Sequence, residues 1–202
     1  MVQLALFGAI IFIMAFTPFV GYIPLGFTKA TIIHVPVIIA SIVLGPKKGA
    51  FLGFIFGLTS LINNTISPTL TSFVFSPFYT AGEVSGGFLS LVICFVPRIL
   101  VGVVPYYVAE LFTKFNKSKT LGYAVAGLCG SLTNTILVMN MIYLFFGKSY
   151  GAARGVAAKG AAALYSVILS VICINGIPEA IIAAILTAVV VKAVGAARKT
   201  QK

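Results

Sequence analysis

Arg98 is a charged residue inside an apolar stretch, and its charge needs a compensating group. It follows Pro97 near the middle of the apolar stretch 86–114, which is long enough to cross a bilayer. A charge at that depth costs at least about 2.5–3.5 kcal/mol unless an anion, a polar network or a water-filled cavity answers it. Because a guanidinium is a planar fork of donors that matches a carboxylate, the sequence predicts an anion site or an internal ion pair at Arg98.

Asn134 is the polar residue that we expect nearest to Arg98. It shares one helical face with Ser131 in the apolar stretch 120–146. Arg98 lies about twelve positions (~18 Å) from the start of its stretch, and Asn134 lies about thirteen positions from the end of its own. If the two helices run in opposite directions, the two residues lie at similar depth. A guanidinium and an amide at one level would suit a small molecule with a carboxylate and hydrogen-bonding groups.

An internal ion pair is the alternative, and the chain has three acidic residues to offer. Glu110 is too far from Arg98 along the same helix, at about 18 Å, and Glu83 lies in the loop before it. Glu179 is the best placed. Both alternatives stay open, and the predicted substrate-binding residues are Arg98, Asn134, Ser131, Asn64, Ser72 and Glu179.

The composition excludes several other functions. Hydrophobic residues make up 60% of the chain and charged residues 8%, whereas soluble domains carry about 25% charged residues. We therefore expect an integral membrane protein. Its lysines and arginines flank apolar stretches, so the net charge of +11 indicates membrane topology and not nucleic-acid binding. One histidine, no acidic cluster and three cysteines in separate stretches predict no catalytic residues, no metal site and no cofactor.

Six apolar segments must position these residues, and we expect one all-α membrane domain over residues 1–202, a six-helix bundle. The segments cover about 2–20, 31–44, 50–64, 86–114, 120–146 and the end of 160–194. Residues 65–85 and 147–159 are predicted as long loops, of which the first is interpreted as a lid. Residues 160–174 are predicted as either a loop helix or an extension of helix six, with a helix start at Asn175 and Pro178.

Three glycine or proline patterns refine the helices. Gly49, Gly53 and Gly57 recur every four residues, which predicts a smooth face for close packing. Pro97 and Pro105 each predict a kink and a carbonyl without its helical partner. Ala5 and Ala9 form a small-xxx-small pattern, which indicates close packing within this chain or against another one.

The distribution of basic residues predicts the topology. With six spans both termini share one side, and that side holds Lys47, Lys48, Lys114, Lys117, Lys119, Lys192, Arg198, Lys199 and Lys202. The other side holds Lys29, Lys148, Arg154 and Lys159. The positive-inside rule makes the first side cytoplasmic. The second group could steer an anion or contact lipid headgroups, and the sequence does not choose between these.

Several runs resemble the substrate-binding S components of energy-coupling-factor (ECF) vitamin transporters, over most of the chain. They begin at Thr31 (TIIHVPVII), Leu44 (LGPKKGAFLG), Ser72 (SFVFSPF), Leu132 (LTNTILV) and Asn175 (NGIPEAIIAAILT). The resemblance implies a multi-pass, six-helix protein of the bacterial plasma membrane. Such a protein is not an enzyme, and it binds a vitamin from outside.

The resemblance also implies partners. Members of the family dock on a membrane coupling subunit joined to two ATPases and release the vitamin inward, and Ala5 and Ala9 match the family's docking motif. Among its branches the chain most resembles the pantothenate branch, with Arg98 and Asn134 at substrate-contacting positions. Hydroxymethylpyrimidine carriers are similar, and a membrane scaffold that binds no ligand is a further hypothesis.

Overall fold

The chain is almost entirely helical. The computed structural model describes residues 1–17, 21–24, 29–81, 84–115, 118–155 and 160–200. Its helices are α1 (Val2–Phe16), α2 (His34–Leu44), α3 (Pro46–Ile66), α4 (Phe88–Val101), α5 (Val104–Phe115), α6 (Lys119–Ala153), α7 (Gly160–Val171) and α8 (Ile177–Thr200). The described residues also form two short antiparallel strand pairs. They are β1 (Tyr22–Pro24) with β2 (Lys29–Thr31), and β3 (Thr80–Ala81) with β4 (Val84–Ser85).

Four helical stretches in the described part of the chain are long and apolar enough to cross a membrane. They are Pro46–Ile66, Phe88–Phe115, Lys119–Ala153 and Gly160–Ala197. The helices α1 and α2 are apolar but shorter, with 15 and 11 residues. Helix α1 ends at Phe16 and not near residue 20. Glu83, Lys117, Lys159 and Lys202 lie outside the described residues, and the side chains of Lys29, Arg198 and Lys199 are not described.

Helix α2 forms the centre of the bundle. Every residue from His34 to Ser41 is buried, although an amphipathic helix normally buries only one stripe. It contacts α1, α3, α4, α5, α6 and α8. The surrounding helices therefore expose apolar side chains on their outer faces, such as Leu111, Leu144 and Ile185.

The predicted glycine face lies between α3 and α4. A side chain at Gly53 would collide with the backbone of Arg98 and Ile99, and one at Gly57 would lie 2.7 Å from the ring of Phe95. Glycine at these positions lets the two backbones approach closely. The approach holds the backbone of Arg98 against α3.

The proline-containing stretch 86–114 is divided at one of its two predicted kinks. Pro97 lies inside α4, and the division falls at Gly102 and Val103, which separate α4 from α5. Pro105 is the second residue of α5. The N–H groups of the first helical turn have no acceptor within the helix, so the missing N–H of proline costs nothing there. Proline therefore marks the start of α5, while α4 tolerates Pro97.

Two predicted boundaries are wrong. Residues 147–153 are helical and not part of a loop, because α6 continues through an irregular residue, Phe146 (φ −126°, ψ 18°), to Ala153. The predicted helix start at Asn175 is wrong as well. A π-helical turn over Ile172–Gly176 joins α7 to α8, so 160–197 is one helical stretch. A π-turn accommodates an extra residue, and Pro178 has no N–H to continue the regular pattern.

Candidate functional site

Arg98 is buried in the bundle, and three groups surround its guanidinium. The side chain is 7% exposed, and its Nη1 donates a hydrogen bond to the carbonyl of Ile93 at 2.7 Å. That carbonyl is the one that Pro97 cannot pair with, since proline has no N–H. The rings of Phe56 and Phe75 lie 5.6 and 5.1 Å from the guanidinium carbon, within cation–π distance.

No carboxylate pairs with Arg98 among the described residues. Their one ion pair joins Lys114 Nζ to Glu110 at 3.4 Å, on the surface. Glu179 has other partners: its Oε1 accepts a hydrogen bond from the backbone N–H of Thr31 at 2.6 Å. The Nε atom of Arg98 is buried and has no partner in this part of the chain. The guanidinium therefore has unused hydrogen-bonding capacity.

A small cavity of about 80 Å³ lies beside Arg98. Hydroxyl, amide and guanidinium groups line it, from Thr31, Ser60, Asn64, Thr69, Thr71 and Arg98. Phe75, Met139, Ile142 and Tyr150 supply the apolar part of the wall. Ligand sites are usually apolar clefts with a few convergent polar groups, so this cavity is the candidate binding site.

A larger groove of about 950 Å³ lies between the end of α6 and α7. Phe145, Phe146 and Leu164 line it, with Lys148 at one side. None of the predicted substrate-binding residues lines it. Size alone would favour the groove, but the convergent polar groups and the buried charge favour the cavity at Arg98.

A hydrogen-bond network orients Asn64 toward this cavity. Its Nδ2 donates to the carbonyl of Ser60 at 2.8 Å, and its Oδ1 accepts from the hydroxyl of Ser72 at 2.8 Å. The same hydroxyl accepts the N–H of Thr69 at 2.8 Å. Ser72 is fully buried behind Asn64. Because the nitrogen and the oxygen of the Asn64 amide each have a partner, the orientation of the amide is fixed.

Ser131 and Asn134 do not line the cavity. Both are buried on α6, and Ser131 Oγ and Asn134 Oδ1 have no hydrogen-bond partner among the described residues. The depth estimate compared backbone positions, whereas the side chain of Arg98 extends along α4 toward Ile93, as helical side chains do. On α6 the cavity beside Arg98 is therefore lined by Met139, Ile142 and Tyr150, which follow Asn134 in the chain.

Sequence reasoning missed several lining residues. Tyr150 falls within the predicted loop 147–159, but it lies on the last turns of α6, and its hydroxyl accepts hydrogen bonds from Arg154 at 2.9 and 3.2 Å. Phe75 follows the short 3₁₀ turn Ser72–Val74. The aromatic content of residues 65–85 signalled burial, but nothing in the sequence pointed to Arg98 as the contact of Phe75.

Ala5 and Ala9 are exposed on α1. A different side of the helix, with Gly8, Ile11 and Ala15, is buried, and Gly8 faces Leu52 and Ile55 of α3. The two alanines therefore do not contribute to packing inside the bundle.

These features define an integral membrane protein whose helices enclose a small polar cavity, an arrangement typical of proteins that handle small polar solutes. Residues 1–191 match the family described as "ECF transporter, substrate-specific component". The chain belongs to this family, and it is a transporter component and not an enzyme. The predicted family is thereby confirmed.

Two curated relatives are similar over much of their length. The chain is 41% identical over 197 residues to "Pantothenic acid transporter PanT" of Lactococcus lactis subsp. cremoris (strain MG1363), covering 96% of this chain and 93% of the relative. It is 33% identical over 150 residues to "Pantothenate transporter PanT" of Leuconostoc mesenteroides subsp. mesenteroides, covering 69% of this chain and 66% of the relative.

Proposed function

We propose that this chain is the pantothenate-binding S component of an ECF importer, with Arg98 as the group that binds the vitamin's carboxylate. The observation that carries the proposal is the buried guanidinium, which lines a polar cavity and has no carboxylate partner among the described residues. Pantothenate is an anion with an amide and two hydroxyls. A carboxylate would complete the guanidinium fork, and the hydroxyls and amide would meet groups such as Asn64.

The other predicted site residues have indirect or secondary roles in this proposal. Ser72 fixes the amide of Asn64 through its 2.8 Å hydrogen bond. Ser131 Oγ and Asn134 Oδ1, on α6, have no hydrogen-bond partner within the described ranges, and they are available to a ligand that extends beyond the present cavity. Ligand sites usually measure about 300–1,000 Å³, and this cavity measures about 80 Å³. Binding therefore requires the cavity to enlarge.

We further propose that one domain, residues 1–202, crosses the membrane six times with both termini in the cytoplasm. The four long stretches supply four crossings, and α1 and α2 with their connecting residues supply two. Helix α2 is shorter than the roughly 20 residues of a usual span, but protein surrounds it. Lys47 and Lys48, in the first turn of α3, then lie on the cytoplasmic side, as the positive-inside rule favours.

Transport in this proposal needs partners. A membrane coupling subunit contacts Ala5 and Ala9 on the exposed side of α1, and two ATPase subunits supply the energy. The chain captures pantothenate from outside and releases it inward after docking. The exposure of both alanines supports this role, because small residues let another helix approach closely.

A binding assay tests the proposed substrate. The purified chain is incubated with labelled pantothenate and, separately, with labelled hydroxymethylpyrimidine. We expect saturable binding of pantothenate that excess unlabelled pantothenate displaces, and no displacement by hydroxymethylpyrimidine. Preference for the pyrimidine would move the chain to another vitamin branch, and binding of neither would favour the scaffold hypothesis.

A further inference from the structure

Glu179 is a buried carboxylate with an unusual partner. It is 8% exposed, and its Oε1 accepts the backbone N–H of Thr31, 148 positions earlier in the chain, at 2.6 Å. Burying a carboxylate is unfavourable unless hydrogen bonds or an opposite charge compensate, so the hydrogen bond from Thr31 offsets part of the cost of burying Glu179.

Thr31 belongs to the wall of the candidate cavity. It is the last residue of β2 and pairs with Tyr22 of β1. The next residue, Ile32, donates its N–H to the carbonyl of Gly21 at 3.0 Å. The backbone at Thr31 is therefore fixed on one side by its own hairpin and on the other by Glu179. The second contact joins this wall to α8.

The π-turn places Glu179 opposite Thr31. It covers Ile172–Gly176, directly before α8. Each residue of a helix turns the following ones by about 100°, so without the extra residue Glu179 would be rotated by about that angle relative to Thr31. Gly176 allows the close approach to α6 there, because a Cβ on it would lie 2.9 Å from Thr135 Cγ2.

We propose that Glu179 is a positioning residue, which holds the Thr31 backbone at the cavity wall and thereby slows release of the bound vitamin. The inference rests on the proposed function, in that the cavity beside Arg98 is the vitamin site. Glu179 does not line that cavity, whereas Thr31 does. A cavity of about 80 Å³ is smaller than usual ligand sites and must enlarge to hold and exchange the vitamin, and enlargement at Thr31 requires the Glu179 contact to break.

Release kinetics provide the first test. Full-length Glu179→Ala, Glu179→Gln and Glu110→Ala chains are loaded with labelled pantothenate, and release is followed after excess unlabelled vitamin is added. We expect release to be about tenfold faster for Glu179→Ala, since a charge-assisted hydrogen bond is lost. The glutamine variant should release less than about threefold faster, because its amide oxygen can still accept the Thr31 N–H. Glu110→Ala removes an exposed carboxylate and should release like the unmodified chain.

Hydrogen–deuterium exchange of the Thr31 amide in the ligand-free protein provides the second test. We expect it to be about tenfold faster in Glu179→Ala than in the unmodified chain, and close to normal in Glu179→Gln. This readout does not depend on the vitamin. If the unmodified chain binds no pantothenate, the proposed function fails, while the exchange data still decide whether Glu179 holds Thr31.

Three outcomes would overturn the inference. They are unchanged release from Glu179→Ala, unchanged exchange at Thr31, and loss of equilibrium binding with normal exchange, which would make Glu179 a ligand contact. If Glu179→Ala does not fold, Glu179→Asp takes its place. Its carboxylate is withdrawn by about one C–C bond, ~1.5 Å, and the same expectations apply.

Discussion

At the scale of single residues, the sequence Pro97-Arg98 explains how a charge is accommodated inside an apolar bundle. Pro97 leaves the carbonyl of Ile93 without its helical donor, and Arg98 supplies that donor from its side chain at 2.7 Å. Two aromatic rings flank the guanidinium and add cation–π attraction. The charge is thus stabilised without a counter-charge among the described residues, and an anionic ligand can provide one.

Replacing Arg98 tests its proposed role. Arg98→Met keeps a long side chain without the charge, so we expect at least a hundredfold loss of pantothenate affinity, about 3 kcal/mol, from the lost charge-assisted hydrogen bonds. Equilibrium binding of the purified variant is the measurement. Lys192→Ala, which removes an exposed cation on α8, is the control and should bind normally.

The neutral alcohol analogue of pantothenate sharpens this experiment. The unmodified chain should prefer the acid over the alcohol, and Arg98→Met should show little preference. If the variant still discriminates between acid and alcohol, another group binds the carboxylate.

Sequence reasoning reached part of this site. The burial of Arg98 and the orphaned carbonyl at Pro97 follow from local rules of helix geometry. The contacts with Phe75 and Thr31 do not, because they join segments far apart in the chain and depend on how the helices pack. The comparison of Arg98 with Asn134 shows why counting residues along two helices does not locate the functional atoms. The long side chain of Arg98 places its guanidinium about one helical turn away from its own backbone.

At the scale of elements, the glycines of α3 determine how closely α4 can approach. A side chain on Gly53 would meet backbone atoms of Arg98 and Ile99, which cannot rotate away. The predicted smooth face is confirmed by this contact. Sequence periodicity showed the glycines but not which helix they face, because any helix of the bundle could have used that surface.

An alanine at Gly53 should therefore destabilise the bundle. We expect Gly53→Ala to cost about 1–3 kcal/mol, the usual range for overpacking, and to lower the apparent Tm in detergent. Gly195→Ala on α8 is the matched control, since a Cβ there meets nothing within 4 Å. The control should be neutral or stabilising by about 0.5–1 kcal/mol. An unchanged Tm for Gly53→Ala would show that α3 and α4 are not in close contact.

The two misassigned boundaries also belong to this scale. Residues 147–153 contain glycine, lysine and serine, which favour a loop in sequence terms. Packing changes the outcome, because Tyr150 and Gly151 are buried in the bundle. The π-turn at 172–176 likewise has no local signal that distinguishes it from a helix start at Asn175.

At the scale of the whole molecule, the proposed topology can be tested by cysteine labelling. In a chain with Cys94, Cys129 and Cys173 replaced by alanine, Lys148→Cys and Lys48→Cys each add one exposed thiol. A membrane-impermeant maleimide applied to intact cells should label the first, and the second only after permeabilisation. The reverse pattern would place the termini outside, and labelling of both from outside would exclude the six-span arrangement.

The exposed alanines of α1 can be tested in the assembled transporter. The double variant Ala5→Leu, Ala9→Leu should fail to copurify with the energising subunits and still bind pantothenate, because bulky side chains block close helix approach without touching the cavity. Leu6→Phe, a larger side chain at another exposed position on α1, should assemble normally. Loss of vitamin binding together with assembly would indicate that the alanines pack within the bundle.

The hydrogen bond between Arg98 and Ile93 has a consequence for the entropy of binding. A free arginine side chain has about 2 kcal/mol of rotamer entropy at room temperature, and ordering it on ligand capture would weaken the affinity by that amount. Here the bond to Ile93 and the rings of Phe56 and Phe75 restrict the side chain during folding. An arriving anion thus meets a donor that is already ordered. The entropy cost of ordering the arginine side chain therefore does not reduce the binding affinity.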